Sequence, residues 1–514
     1  MREATIYLTK SDFLNYRTCP AYCWTAKYRP EQVPPDAEDM RRREEDEARV
    51  EALARPLFGD GVMIESEDAV EATRATELAI ASGARTIFKA SVLTRSGLHA
   101  RADVLVQHPS GHGWNIVEVK ASTSPDYGNR LDATFQRFAF TAAGYTIRNV
   151  EVMYLDKHYR RNGHLTVEKL FRHDTGVMSW GDARRDEIMA DMGQALVAIQ
   201  DPGLCPPCDC DRKTRARRCP TFERFHPEFP AGQTVFDLVS INQTRLGEVL
   251  ERGVVNLTDW PSDLKLSPRQ RWQIETLRTG RELVQTEQLR DFLGRVRFPC
   301  YFLDYETFQT PVPLYSGKWP YQQIPFQYSV HILHEDGSLD HREFLWTDAE
   351  RDPVQPLAES LRADIGDEGS VVVWWEGFEG KRNEELAEAV PELADFLLGL
   401  NERMVDLMEA VSRGMWVHPD FGGSSSMKRV LPVVAPEMAY ETLEIGHGAI
   451  ATLRWKQCVV DKAPPDGVDP DEAFEHLRVY CRQDTLGMVR IWEYLCRLAG
   501  HEVREPQMAL AGVG

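Results

Sequence analysis

The sequence predicts an α/β protein of two domains joined by a helical region. A chain of 514 residues exceeds what one hydrophobic core usually serves. Its composition, 42% hydrophobic and 10% aromatic, is that of a folded chain. Twice along its length, short runs of period two alternate with longer runs of helical period. These patterns place a first domain over 1–230, a linking region of short helices over 231–290, a second domain over 291–500 and a tail over 501–514.

Two charged helical stretches come first, "RRREEDEARVEALARPLF" and "AVEATRATELAIASG". The period then changes to two. "TIFKASVL", "LHARADVLVQ" and "WNIVEVKAS" read as strands, the last two joined through the turn "HPSGHG". "LDATFQRFAFTAAGY" reads as a helix, "VEVMYLD" as a strand and "RRDEIMADMGQALVAIQ" as a helix, followed directly by a cysteine-rich stretch. Short helical signals broken by Pro and Gly fill the linking region. The second domain opens with the strand "PCYFLDYETF", continues through strands "FQYSVHIL" and "REFLWT", the helix "PVQPLAESLRADI" and the strand "SVVVWW", and ends in helices "KRNEELAEAVPELADFLLGLNERM" and "DEAFEHLRVYCRQDTLGMVRIWEYLCRLAG".

The N-terminus lacks an apolar run behind a basic start, and no segment approaches eighteen apolar residues, so a soluble, cytoplasmic protein without a membrane span is expected. In that compartment ten cysteines are thiols or metal ligands rather than a disulfide framework. A formal net charge of −20 argues against coating nucleic acid by bulk attraction, but is compatible with a local basic groove beside cation-loaded acidic centres. Arg212, Lys213, Arg215, Arg217 and Arg218 form such a patch, or a solvated charged loop.

The hairpin "ARADVLVQHPSGHGWNIVEVKAS" carries Asp103 on one strand, and Glu118 and Lys120 on one face of the next. Two carboxylates can hold Mg²⁺ or Mn²⁺, and a lysine beside them can position water or stabilise a phosphoryl transition state. A Glu and a Lys two apart on a solvated strand are also ordinary. With the helix that carries Gln136 downstream, the arrangement resembles the RecB-type PD-(D/E)xK nucleases, on "RAD", "VEVK" and "QRFAF". That resemblance implies a restriction-endonuclease-like domain with Asp103, Glu118, Lys120 and Gln136 as catalytic residues and Asp103 and Glu118 on the metal. Phe140 stands where the family has Tyr, and Glu51 is a candidate for its upstream ligand.

"YFLDYETF" puts Asp304 and Glu306 on one face of an otherwise apolar strand, an expensive burial unless cations are coordinated. "WWEGFE" supplies Glu379, and "YCRQD" sets Tyr480 one helical turn before Asp484. This order resembles the DEDD exonucleases of the RNase H-like fold. The resemblance implies a two-metal phosphodiesterase centre of Asp304, Glu306, Glu379 and Asp484, with Tyr480 orienting the water. Trp375 stands where the family more often has Asn, and Glu379 where it has Asp; Asp406 in "RMVDLM" is the fallback ligand. "GGSSSMKRVLP" offers Lys428 as a substrate contact, or is a loop without function.

"CPPCDCDRKTRARRC" holds Cys205, Cys208, Cys210 and Cys219, which could bind zinc locally, although Cys-x-Cys is cramped for one tetrahedral ion. Upstream, "LTKSDFLNYRTCPAYCW" resembles the start of RecB-type nucleases with an iron–sulfur cluster, which carry one cysteine before the catalytic hairpin and three after it. That resemblance implies a [4Fe-4S] cluster on Cys19, Cys205, Cys210 and Cys219, with Cys208 the rival of Cys210 and Zn²⁺ the alternative metal. Cys23, Cys300, Cys458, Cys481 and Cys496 read as buried or spare thiols.

Nearly the whole chain resembles a bacterial family of uncharacterised proteins that join such a nuclease-like half to a C-terminal domain of unknown function with an RNase H-like core. The expectation is a Mg²⁺- or Mn²⁺-dependent nuclease acting on DNA, from an end or on single strands, in repair or defence, with RNA also open. The alternatives are that only the C-terminal centre cuts, or that the chain is a non-catalytic nucleic-acid-binding scaffold with a structural metal.

Overall fold

The computed structural model describes residues 6–34, 37–229, 233–440, 443–464, 467–501 and 507–508. It is a mixed α/β protein that divides into two compact units, one of residues 1–229 with 310–322, the other of 230–309 with 323–514. No helix among the described residues is long and apolar enough to cross a membrane.

The first unit holds a six-stranded mixed sheet in sequential order: β1 (Val62–Met63), β2 (Thr86–Leu93), β3 (His99–Gln107), β4 (Trp114–Lys120), β5 (Ile147–Leu155) and β6 (Phe171–Asp174). β2, β3 and β4 pair antiparallel, as short turns allow, whereas β4 and β5 pair parallel. Their crossover is the helix Tyr127–Ala142, as a parallel connection requires. That helix buries Leu131, Phe135 and Phe138 at helical spacing into the core on one face of the sheet, and Phe140, on the helix's other side, joins the same core. Two short helices that periodicity did not reveal, Lys10–Thr18 and Pro20–Tyr28, begin the unit; Thr9 caps the first in a reciprocal box with Asp12. The other sheet face has a second core that includes Val104, Val117, Val119 and Met153, and Val312 of the 310–322 segment packs into it.

The second unit has a ribbon of β7 (Leu283–Val284) with β13 (Trp416–Val417), and a sheet of β8 (Cys300–Phe308), β9 (Ile324–Leu333), β10 (Ser338–Leu345), β11 (Ser370–Val373), β12 (Met404–Asp406) and β14 (Gln507–Met508). Its order is β12-β11-β8-β9-β10-β14. β8 pairs antiparallel with β9 and parallel with β11, so the strand that carries Asp304 and Glu306 lies in the middle. β9 is buried along its whole length, which explains its near-continuous apolar run. The helix expected over 381–404 is two helices, Glu376–Ala389 and Ala394–Glu402, because Pro391 lacks an amide proton and cannot continue the first. The helices of the expected linking region, Gln243–Glu251, Pro268–Thr279 and Thr286–Leu293, belong to this unit. Most of the expected tail over 501–514 lies outside the described residues; Gln507–Met508 pair parallel with the start of β10.

Candidate functional site

In the first unit, Asp103, Glu118, Lys120 and Gln136 do converge, within a larger ionic lattice. Glu118 is fully buried; its Oε1 accepts from Lys10 at 2.8 Å and Lys120 at 2.7 Å, and its Oε2 from Gln136 at 2.7 Å. Asp103 accepts from Lys89 at 2.7 Å and from the Val119 amide at 2.9 Å. Asp132, one helical turn before Gln136, accepts from Lys120 at 2.8 Å and Gln136 at 3.0 Å. Every oxygen of Asp103 and Glu118 therefore already receives a proton donor from the chain.

The charges follow from this matching. Burial works to raise Glu118, but Lys10 and Lys120 overcome it and hold its carboxyl well below the usual range. Burial, then the Glu118 charge, push Asp103 up to about 6 against the pull of the lysines. Glu51 joins the edge of the lattice, 2.5 Å from Lys89 and paired with Arg55. Glu47, one turn earlier, accepts from the Ala121 amide at 3.1 Å. Phe140, in place of the expected Tyr, is wholly buried in the apolar core and packs on Tyr145.

The residues unforeseen here are Lys10, Lys89, Asp132 and Glu47. Asp132 had a signal, its one-turn spacing from Gln136. Lys89 had none: its backbone sits at φ 56°, it is skipped in the β2–β3 ladder, and only the folded sheet aims it at Asp103.

The cysteine clasp is also in the first unit. The sulfurs of Cys19, Cys208, Cys210 and Cys219 all lie within 4.8 Å of one another. Cys19 and Cys208 are 3.5 Å apart, Cys208 and Cys219 3.8 Å. Cys19 ends one helix and begins the next, and Lys213 ties the later loop back by donating to the Thr18 carbonyl at 2.8 Å. A hydrogen bond from the Cys219 thiol pulls Cys19 down to about 5.

The expected set is corrected at one position: Cys208 and Cys210 both belong, and Cys205 does not. The Cys205 thiol points to the neighbouring Pro206 carbonyl at 3.4 Å, whereas the turn after it carries Cys208 inward. Cys23, Cys300, Cys481 and Cys496 are buried thiols, and Cys458 is half-buried. A tetrahedral ion with M–S bonds of about 2.3 Å needs sulfurs about 3.8 Å apart, so these four fit one ion. Four thiolates are also the donor set of an iron–sulfur cluster.

In the second unit the distant motifs meet in a cleft of about 390 Å³ lined by Asp304, Glu306, Glu379, Asp484, Tyr480 and Lys428. Carboxylate oxygens of Asp304, Glu306 and Asp484 lie within 4.8 Å of one another. Alternation along β8 puts the first two on one face. Asp484 comes from the helix Pro470–Ala499, which β9 anchors: Gln327 donates to the Leu477 carbonyl at 2.9 Å, and Ser329 and His331 each meet the Thr485 hydroxyl at 2.8 Å. Glu379 lies in the first turn of the helix Glu376–Ala389, which the Tyr305 hydroxyl holds by donating to Asn383 at 2.8 Å.

These acids gather with no salt bridge to any of them among the described residues, and burial disfavours their charged forms. Burial, then the charges of Asp484, Glu306 and Glu379, push Asp304 well above the usual carboxylate range. Glu306 is raised likewise, by burial and Asp484. Burial takes Asp484 up to about 6 and Glu379 up to about 8. Glu379 Oε2 is buried without a hydrogen-bond partner among the described residues. The exposed Lys428, which donates to the Gly446 carbonyl at 2.6 Å, draws Glu306 and Asp484 down, and Arg382 does the same for Glu379, each outweighed by burial. Tyr440, which no sequence pattern marked, donates its hydroxyl to Asp484 and packs near Tyr480. Asp406, the fallback ligand, instead accepts from the Glu376 and Met408 amides at 3.3 Å and 3.0 Å. Hard oxygen donors, an orphaned carboxylate oxygen and uncompensated charge fit a divalent cation such as Mg²⁺ or Mn²⁺.

Comparison of the chain with curated proteins and with solved structures finds no match. Residues 301–426 match the family model described as a domain of unknown function (DUF2779), a stretch that carries Asp304, Glu306, Glu379 and Trp375 and stops short of Lys428, Tyr480 and Asp484.

Proposed function

We propose that the protein is a metal-dependent nuclease that hydrolyses phosphodiester bonds, with the Asp304, Glu306 and Asp484 centre carrying the chemistry. The observation that supports this most is the convergence of three carboxylates from a central strand and a terminal helix, in an open cleft that Lys428 also lines. Asp304, Glu306 and Asp484 would hold the metal, with Glu379 beside them. When bound, a divalent ion there supplies charge neutralisation at a phosphate and a lowered pKa for the attacking water.

The chain's own groups complete the site. Tyr440 fixes Asp484 through its hydroxyl, and Tyr480 is a second hydroxyl that stabilises the Asp484 charge. In this reading Tyr480, which also lines the cleft, would orient the attacking water. Lys428 presents a positive charge to a non-bridging phosphate oxygen. The convergence of the D-x-E strand, the acid after Phe378 and the Tyr-x-x-x-Asp helix supports an RNase H-like, DEDD-type reading of this unit.

The first unit, read as PD-(D/E)xK-like, fits a nucleic-acid-binding role better than a second cutting centre, because its lysines already occupy the oxygens of Asp103 and Glu118. For the cysteine clasp, the sulfur spacing favours a single structural ion such as Zn²⁺ over the [4Fe-4S] cluster that the family resemblance implies.

The test is incubation of the anaerobically purified protein with end-labelled single- and double-stranded DNA and RNA, in Mg²⁺, Mn²⁺ or EDTA. Asp304→Ala is expected to abolish cleavage and Asp103→Ala to spare it. Cleavage that survives Asp304→Ala, or that needs no divalent ion, refutes the assignment.

A further inference from the structure

At the mouth of the carboxylate cleft the chain exposes a large aromatic side chain that the chemistry above does not use. Trp375 precedes the helix Glu376–Ala389 and is 57% exposed, although it lines the same cleft as Glu379 and Asp304. Its indole is stacked on Phe378, with ring centroids 6.1 Å apart and planes 19° from parallel. Arg382, one turn further along the helix, sets its guanidinium 5.1 Å from the Phe378 ring centre and is itself held by Glu385 at 3.1 Å.

The three groups form a braced stack. Arg382 lies against Phe378, Phe378 lies against Trp375, and the exposure of Trp375 leaves indole surface open to solvent. Gly377 makes room for it: a Cβ there would stand 3.1 Å from the indole Nε1, tighter than such contacts normally run. The braced indole presents one flat aromatic face to a ligand entering the cleft.

We infer that Trp375 is a stacking platform for an unpaired nucleobase, and that the substrate of the cleft is therefore a single strand or a frayed end. The inference rests on the metal-centre reading, because the ligand must be flat and aromatic at one end and carry a phosphate at the other. A nucleotide has this form, and the cleft, at about 390 Å³, is of the size that takes one small ligand. A base within a duplex has both faces stacked on its neighbours and cannot lie on the indole. Stacking reads only the π-face, so the platform is tolerant of sequence.

The test uses the full-length protein in Ca²⁺. Unlabelled oligothymidylate and an abasic strand of the same length and charge compete against a labelled single strand. The wild type is expected to prefer the strand with bases by between about fivefold and about 100-fold. Trp375→Ala should bring the two strands to near parity, and Trp375→Phe should keep part of the preference. Both variants should retain the melting temperature and its rise with Mn²⁺. A preference that survives Trp375→Ala overturns the platform, as does a wild type that binds the two strands equally. A wild type whose melting temperature ignores Mn²⁺ overturns the metal-centre reading instead, and the strand comparison remains decisive for Trp375.

Discussion

Replacing Asp484 by Asn should make the metal-free protein more stable and end its response to divalent cations. Asp484 is 8% exposed, beside Asp304 and Glu306, and its carboxyl is raised from 3.8 to about 6, chiefly by burial. That shift corresponds to roughly 3 kcal/mol of destabilisation when the group is ionised in the folded chain. The amide oxygen of Asn can still accept from Tyr440, and its NH₂ group can donate to the neighbouring carboxylates. A gain of about 1 to 3 kcal/mol is therefore expected, or about 2 to 10 °C in melting temperature for a unit of this size. With Mn²⁺ at 100 times its Kd the wild type recovers about 2.7 kcal/mol and the variant gains little. Because the folded chain binds this proton more tightly than the unfolded one, the variant's advantage is full above about pH 7 and fades as pH falls through about 6 towards 4. Melting curves at pH 8 in EDTA and in Mn²⁺ measure both arms. A variant less stable than wild type in EDTA, or one that keeps the Mn²⁺ shift, would refute the argument.

Cys208→Ser should empty the cysteine site and Cys205→Ser should leave it filled, read as metal per protein together with the visible spectrum; zinc without colour is the expected content. Lys10→Met, which leaves Glu118 and Asp132 with Lys120 as their one paired lysine among the described residues, should destabilise the first unit by about 2 kcal/mol, visible in the denaturant midpoint. His331 is held down to about 3 by burial and then by its neighbour His341. Between pH 6.5 and 3 the unfolded chain binds a proton that the folded chain refuses, so stability is lost as pH falls. Relative to His331→Gln, the wild type should lose about 2 kcal/mol between pH 7.5 and 5 in urea titrations.

Much of the candidate centre was legible because its parts obey local periodicities. Asp304 and Glu306 share a face by strand alternation, Tyr480 and Asp484 by helical spacing, and both patterns survive folding because they are set by backbone geometry within one element. The same holds for Glu118 with Lys120. Where the reading failed, the deciding geometry was not local. Pro391 divides a helix that composition alone runs together, and Cys208 displaces Cys205 because the path of an irregular loop determines which thiols turn inward.

The sequence by itself determined the α/β character, the principal strands and helices, and which acids share a face within one strand or helix, since these follow from side-chain type and spacing. Only the tertiary structure decided how each acid is compensated. Lys10 and Lys89 lie 108 and 14 residues from the carboxylates they neutralise, whereas Asp304 and Asp484, brought together from a distant strand and helix, meet with no lysine hydrogen-bonded to either among the described residues. Charge balance depends on distance in space and on burial, and chain spacing reports neither across separate elements. That difference makes one cluster a self-satisfied lattice and the other a cleft that fits a cation.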